Sequence, residues 1–283
     1  MLENGLHLAS GHWRATVLPG FGANTVRLRY KDQEILRCPD RIEHLMANPH
    51  VYGMPLLFPP NRVEDGTFDF DGRTYRLEIN EPKNSNHIHG GMADAPFTIV
   101  RASGNEAVCE YENRGERYPF PFRMTVSASL NEDGFRQEIA ILNSGDTDMP
   151  VMLGIHTTFA EPSSFRVPIG QRWATNDRHL PTGRMLELTE REREYREGCR
   201  TGGEPISGYY TATEQEAKIG GFSYCTSDHF TQWVLFNGGG GKGFLCVEPQ
   251  SGPVNGLNRS DGYLRLKIGE SARFWTAVSR EGA

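Results

Sequence analysis

The sequence predicts an all-β protein built as a large antiparallel β-sandwich. Short segments that alternate between apolar and polar residues recur from one end of the chain to the other, and helical periodicity is scarce. The 283 residues include 32 glycines and 17 prolines spread along the chain, which favours many short elements joined by turns. No repeat, low-complexity linker or shift in composition marks a boundary, so we expect residues 1–283 to form a single domain.

The individual strands are predicted from alternation and from the turn residues between the runs. Two alternating runs interrupted by Gly, Pro, Asn or Asp indicate antiparallel strands joined by a tight turn. The predicted hairpins are 15–30 around a Pro-Gly turn, 66–80 around Asp71-Gly72, 97–113 around Gly104-Asn105, 122–145 around 131–134, and 229–249 around a glycine-rich loop. Two more strands are predicted in 263–279 and one charged helix in 186–198.

Charge and cysteine content exclude several classes of protein. The net charge of −6 argues against a nucleic-acid or anionic-membrane partner. The five cysteines are odd in number and scattered without a C-x-x-C pair, so we expect reduced thiols and no disulfide framework or zinc ribbon. No signal-peptide pattern opens the chain and no stretch approaches the ~20 apolar residues of a membrane span. We therefore expect a cytoplasmic protein; its oligomeric state is not indicated.

The stretch NSNHIHGG, residues 84–91, places His87 and His89 one residue apart. On a regular strand both rings would point to the same face, since side chains alternate with period two. Such a pair is half of a metal site, a piece of acid/base machinery, or neither. No H-E-x-x-H or C-x-x-C spacing supplies further ligands, so no metal is expected.

Two further ionisable residues lie in apolar surroundings. His156 is expected inside an apolar strand, where burial can bring the pKa of an imidazole to a value suited to proton transfer, although a structural core histidine fits the pattern as well. Glu248 follows the apolar run 244–247, and Pro249 is expected to end that strand. A carboxylate beside an apolar wall acquires a raised pKa by desolvation, which suits a general base.

Arg62 follows Asn61 directly after a pair of prolines, so its position is constrained by a rigid loop. One interpretation is a guanidinium that donates hydrogen bonds to substrate hydroxyls. The other is a surface arginine paired with Glu64. The sequence alone leaves both open.

Taken together, these segments resemble the aldose 1-epimerase (galactose mutarotase) family along nearly the whole chain. The most specific pieces, in family order, are NRVEDGTFDFDGRTYRLEIN (61–80), NSNHIHGG (84–91), GIHTTF (154–159) and VEPQSGPVNGLN (247–258). The resemblance implies a galactose mutarotase-like supersandwich, with the sugar site on the concave face of one sheet.

The resemblance also implies roles for single residues. Glu248 matches the family's general base, His156 its general acid and His89 its second active-site histidine. Arg62 matches the arginine that binds sugar hydroxyls, while His87 does not match a catalytic residue of the family. Asn61, His87 and Gln250 are further substrate-binding candidates because they lie within the same motifs.

The activity implied is interconversion of the α and β anomers of a free aldose by acid/base ring opening, with a small sugar as partner and without metal or cofactor. One departure concerns the aspartate that characterised mutarotases carry between the acid and the base. Segment 206–213 holds no aspartate, and Asp228 is the nearest acid in a suggestive setting. The physiological sugar therefore does not follow from the sequence.

Three alternatives remain at this point. A relative acting on a hexose 6-phosphate would need a cluster of basic residues, to which Arg62 and Arg73 could contribute. A carbohydrate-binding module without catalysis would use the same sandwich. A metal-dependent enzyme would use His87 and His89.

Overall fold

A computed structural model describes residues 5–282 of the chain. The strands of the first half are β1 Leu6–Ser10, β2 Trp13–Leu18, β3 Asn24–Tyr30, β4 Gln33–Glu34, β5 Leu56–Leu57, β6 Arg62–Glu64, β7 Thr67–Phe70, β8 Arg73–Arg76, β9 Asn86–Ile88, β10 Thr98–Ala102, β11 Glu106–Asn113, β12 Phe122–Leu130 and β13 Gly134–Asn143. Those of the second half are β14 Met149–Val151, β15 Gly154–Ile155, β16 Thr158–Ala160, β17 Phe165–Arg166, β18 Ile169–Thr175, β19 Pro181–Leu186, β20 Ser207–Ala212, β21 Glu216–Ile219, β22 Phe222–Thr226, β23 Gln232–Phe236, β24 Phe244–Gln250, β25 Leu264–Leu266 and β26 Ser271–Arg280.

Helices are few and short. The α-helices are α1 Ile42–Ala47 and α2 Glu190–Glu197, and single 3₁₀ turns span Pro49–Val51, Pro82–Asn84 and Gly256–Asn258. α2 lies in the predicted charged segment and begins with a capping box, in which Thr189 and Glu192 satisfy each other's backbone N–H groups. Neither helix has the length and hydropathy needed to cross a membrane, and the same holds for every helix within 5–282.

Two eight-stranded sheets form the predicted antiparallel sandwich. One has the order β10-β11-β12-β13-β26-β22-β21-β17, and the other has the order β19-β18-β20-β23-β24-β15-β5 with β16 also paired to β24. Alternate residues of β12, β13 and β26 are buried, as expected for strands with one face on the core. Both sheets contribute to one large apolar cluster, to which the four-stranded sheet β1–β4 adds Trp13 and Leu28.

The predicted hairpins are all confirmed. Strands β2–β3, β7–β8, β10–β11, β12–β13 and β23–β24 pair antiparallel around the predicted turns. At Asp71-Gly72 both residues adopt positive φ, 48° and 74°, as a two-residue hairpin turn requires. All five cysteines are free thiols, in agreement with the expected lack of a disulfide framework.

The prediction that Pro249 ends its strand is wrong, because β24 continues to Gln250 and pairs with β23 from Cys246 to Gln250. The N–H groups of Val247 and Ser251 donate to carbonyls of Thr157 and Leu153 on the opposite edge, at 2.9 Å each. Pro249 lies between these two donors on that same edge, beside the break between β15 and β16. Its missing N–H therefore costs no hydrogen bond with β23.

Candidate active site

The candidate site is built on neighbouring strands of the second large sheet. Glu248 of β24 pairs with Val234 of β23, and Val234 pairs with Tyr209 of β20. Residues directly opposite each other on paired strands point to the same face, so these three side chains form one row. Leu245 and Val247 point the other way into the apolar cluster. Glu248 therefore lies within β24 on its polar face, not at the strand end that we expected.

His156 faces Glu248 from the neighbouring chain segment. It lies in the two-residue break between β15 and β16, so the prediction that it is part of a continuous strand is wrong. Its backbone N–H donates to the carbonyl of Pro55 at 3.0 Å instead of to a strand neighbour. Its Nε2 lies 3.3 Å from Oε1 of Glu248, and both residues are buried, with 5% and 1% of their surface exposed.

His87 and His89 lie on opposite sides of their segment, contrary to the shared face expected for a regular strand. β9 ends at Ile88, and His89 has a φ of 68° in the left-handed region. His87 pairs with Val63 and its Nδ1 donates to the carbonyl of Glu78 at 2.7 Å, away from the site. The left-handed turn brings the His89 ring round to the face that holds Arg62.

Gly90 continues this left-handed turn where two backbones nearly touch. Its φ is 66°, and a Cβ built on it would lie 2.0 Å from the carbonyl oxygen of Phe58. The glycine is therefore needed for close packing of the chain against itself rather than for the approach of a ligand.

We expect Gly90→Ala to be among the more destabilising single changes, because it combines a steric clash with the ~1–3 kcal/mol cost of holding a non-glycine residue in a strained backbone region. Chemical denaturation of wild type and variant measures the change in the free energy of unfolding. Gly72→Ala is the matched control, since Gly72 has a φ of 74° and a Cβ added there would have no atom within 4 Å. Equal losses in the two variants would contradict the role of the Phe58 contact.

His50 joins these residues although the sequence offered no motif for it. It lies in the 3₁₀ turn Pro49–Val51, and its ring centroid is 4.7 Å from that of His89 and 6.2 Å from that of His156. The rings of His89 and His156 are 5.3 Å apart. We call His50, His89 and His156 the histidine cluster.

Desolvation controls the protonation of the cluster and of Glu248. Burial lowers the pKa of His156 to about 3 and that of His50 to about 4, and the pKa of His89 is lowered well below its usual value. Burial raises the pKa of Glu248 to about 8, against the smaller opposing effects of Gln250 and Arg62. At neutral pH the His156–Glu248 pair therefore holds one proton, which rests on the carboxyl group.

Arg62 points into the same space from β6. Its Nε and Nη2 donate to Glu81 at 2.9 and 2.8 Å, and its Nη1 donates to Tyr209 Oη at 2.7 Å and to Asn61 Oδ1 at 3.3 Å. The alternative pairing with Glu64 is wrong, since Glu64 accepts a bond from Arg178.

These side chains line a cavity of about 300 Å³, a size typical of small-molecule sites. Its lining consists of Asn61, Arg62, Ile88, His89, His156, His179, Ser207, Tyr209, Val234, Leu235, Phe236 and Glu248. Five predicted site residues thus meet in one place. Gln250 is buried beneath, where its Nε2 donates to Oε2 of Glu248 at 3.2 Å, and His87 lines a different cavity of about 540 Å³. The larger cavity holds none of the histidine cluster.

Within the described residues 5–282, no aspartate lines this cavity. Asp228, the acid suggested by the sequence, lies in another cavity beside Trp173 and Arg259. The segment 206–213, which holds no aspartate, contributes Ser207 and Tyr209. A tyrosine hydroxyl therefore lies at the wall of the site that β20 forms.

His156, Cys246 and Glu248 offer donor atoms within 4.8 Å of one another, a spacing that a metal ion could use. Cys246 Sγ contacts the hydroxyl of Thr158 at 3.4 Å and does not line the cavity. The alternative of a metal held jointly by His87 and His89 does not fit, because the two side chains lie on opposite sides of their segment. Acid/base chemistry accounts for the His156–Glu248 contact without a further group.

Sequence reasoning missed His50, Glu81, His179, Ser207 and Tyr209. His50 lies in the turn-rich stretch NPHVYG, which indicated only a loop. Glu81 and His179 lie in polar segments where charged residues are common on any surface. Ser207 and Tyr209 lie on β20, a strand that was not predicted from the sequence.

Comparisons with known proteins agree with this architecture. A sequence profile described as aldose 1-epimerase matches residues 6–279. A solved galactose mutarotase-like protein from Clostridium acetobutylicum superposes with a TM-score of 0.89 at 26% identity, covering 98% of this chain and 95% of its own. YihR of Escherichia coli, an uncharacterized protein, is 26% identical over 95% of this chain and 90% of its own length.

Galactose mutarotase from Sus scrofa is 26% identical over 54% of this chain and 46% of its own length. The solved relative shares the β-rich fold across almost the entire chain, and the profile spans all four motifs that carry His89, His156, Glu248 and Arg62. The protein belongs to the aldose 1-epimerase family.

Proposed function

We propose that the protein interconverts the α and β anomers of a free aldose. The observation that carries this proposal is the buried His156–Glu248 pair, whose Nε2 and Oε1 atoms lie 3.3 Å apart on the wall of a cavity of about 300 Å³. Mutarotation needs one group that removes the proton of the anomeric hydroxyl and one that protonates the ring oxygen. A carboxyl group and an imidazole that share one proton supply both functions.

In the proposed mechanism the sugar binds with its anomeric hydroxyl at Glu248 and its ring oxygen at His156. Glu248 takes the hydroxyl proton and His156 delivers a proton to the ring oxygen, so that the bond from C1 to the ring oxygen breaks and a free aldehyde forms. Rotation about C1–C2 exposes the other face of the aldehyde. Closure with the two groups in exchanged roles then yields the other anomer.

The resting proton on Glu248 does not conflict with these roles. Transfer of that proton to His156 converts the neutral pair into carboxylate and imidazolium without any change in the number of protons bound. The ratio of the charged form to the neutral form therefore does not change with pH. The pKa values that describe gain or loss of a proton belong to the pair and not to either residue. Bound sugar hydroxyls would favour the charged form by hydrogen bonding to it.

His89 and His50 supply neutral hydrogen-bonding groups beside the pair. With both pKa values lowered, each ring carries one N–H and one lone pair near neutral pH. His89 Nδ1 is buried without a partner within 5–282. We propose that His89 binds the region of the ring oxygen and stabilises the charge that develops there.

The proposal is tested by polarimetry on freshly dissolved α-glucose and α-galactose, with and without a chelator. We expect acceleration of mutarotation over the buffer rate for at least one free aldose, and the same rate in both arms. Loss of activity with chelator would support a metal site at His156, Cys246 and Glu248 instead. A panel of pentoses, deoxysugars and hexose 6-phosphates extends the test, and lack of acceleration for every free aldose would overturn the proposal.

A hexose 6-phosphate is less well supported as substrate. Within residues 5–282, Arg62 is the one lysine or arginine that lines the cavity. Its charge is already paired with Glu81, with Nη2 and Oε1 2.8 Å apart. A phosphate dianion would need uncompensated guanidinium or ammonium groups. A purely carbohydrate-binding role would not require a buried His156–Glu248 pair, since an unreactive sugar site gains nothing from a carboxyl group with a raised pKa.

A further inference from the structure

We infer that Tyr209 determines substrate specificity by donating its hydroxyl proton to one oxygen of the sugar. The inference rests on the proposed function and names how the same site recognises its substrate. It starts from the chain of hydrogen bonds that runs from Glu81 through Arg62 to Tyr209.

Arg62 is fixed in place before any ligand binds. Four of its five N–H groups are engaged: Nε and one Nη2 proton with Glu81, and both Nη1 protons with Tyr209 and Asn61. The Arg62 and Glu81 side chains are only 13% and 19% exposed, so the ion pair is shielded from water. The guanidinium thus keeps one N–H for a ligand, and its other N–H groups hold the side chains of Glu81, Asn61 and Tyr209 in place.

The direction of the bond to Tyr209 decides what this tyrosine can do. A guanidinium has no acceptor, so the hydroxyl of Tyr209 must accept the Nη1 proton at 2.7 Å. This hydroxyl has no other hydrogen-bond partner among residues 5–282. Its own proton is therefore free, and the side chain lies in the wall of the cavity on the same face as Glu248.

Recognition by this group differs in kind from recognition by a carboxylate. A carboxylate can only accept, whereas Tyr209 held by Arg62 is oriented to donate. Burial near Glu248 raises the pKa of Tyr209, so the phenol keeps its proton throughout the neutral range. The sugar oxygen that receives the free proton of Tyr209 acts as an acceptor, which constrains the orientation of one hydroxyl of the ring.

The test compares Tyr209→Phe with wild type on glucose and on its 2-, 3-, 4- and 6-deoxy analogues. A lost neutral hydrogen bond of ~1 kcal/mol corresponds to about a 3- to 10-fold drop in kcat/KM on glucose. For the one analogue that lacks the contacted hydroxyl, we expect wild type and variant to react at the same rate. The remaining analogues should show the full drop.

Tyr210→Phe is the matched control, because Tyr210 is the next residue and its hydroxyl bonds to Glu192 on the opposite face. The ratio of kcat/KM between Tyr210→Phe and wild type is expected to be the same for every sugar. A Tyr209→Phe loss that is uniform across all five sugars would overturn the inference while leaving the proposed function intact. Absence of mutarotation by wild type would overturn both.

Discussion

Replacing Glu248 with glutamine is expected to lower kcat/KM for mutarotation at least ~100-fold, the lower range for loss of a positioned acid or base. Glutamine keeps the shape of the side chain but neither accepts nor delivers a proton. Because its raised pKa keeps the carboxyl group of Glu248 protonated and neutral in the folded protein, the neutral amide of glutamine matches it in charge as well as in shape. We therefore expect the loss of activity without a loss of stability, and polarimetry and thermal unfolding check the two.

His156→Ala is expected to lower kcat/KM by at least ~100-fold as well, since it removes the other half of the pair. The double variant should lose little more than either single one, because residues that act as a unit are not additive. His229→Ala serves as control, as His229 lies in a different cavity beside Asp228. Retention of wild-type activity by Glu248→Gln would place the chemistry elsewhere.

A second large effect is expected on stability at mildly acidic pH. The free energy of unfolding should fall by about 2–3 kcal/mol per pH unit between roughly pH 6 and pH 5. The cause is the histidine cluster, which is neutral in the folded protein and becomes protonated when the chain unfolds. Urea denaturation at a series of pH values measures this slope.

The sign follows from counting protons. Unfolded histidines have pKa values of about 6.5, so near pH 5.5 unfolding binds close to three protons at His50, His89 and His156. Glu248 opposes this, because its raised pKa means that it carries a proton when folded and loses it on unfolding. His87, whose pKa is also lowered by burial, adds to the uptake. The net uptake is at least about two protons, so stability is lost as pH falls. Above neutrality the raised pKa of Glu248 makes stability decline again as pH rises toward 8.

His50→Asn should reduce the number of protons taken up on unfolding by about one, because it removes one of the buried bases. The slope of the free energy of unfolding against pH should therefore fall by ~1.4 kcal/mol per pH unit. His12→Asn is the control, since His12 is exposed in the turn between β1 and β2. An unchanged slope in His50→Asn would mean that His50 does not stay neutral in the folded protein.

The all-β class and about half of the strands could be predicted from the amino-acid sequence, whereas β17–β22 were not predicted. Strict alternation marks β12, β13 and β26 because each buries one face and exposes the other. Turns such as Asp71-Gly72 could be predicted because a positive φ restricts the residue types that can occupy the turn. Residues Glu248, His156, His89 and Arg62 could be selected in advance because each lies within a distinctive short motif.

The arrangement of these residues in the site depends on tertiary packing. His89 parts from His87 because a left-handed turn at φ 68° breaks the period of two, and local alternation cannot indicate such a break. Arg62 is neutralised by Glu81 and held against Tyr209, a residue 147 positions away. His50 approaches His89 and His156 from a short turn that carries no periodicity. These contacts depend on how distant segments pack, and so they become visible only when the sheets and loops are assembled.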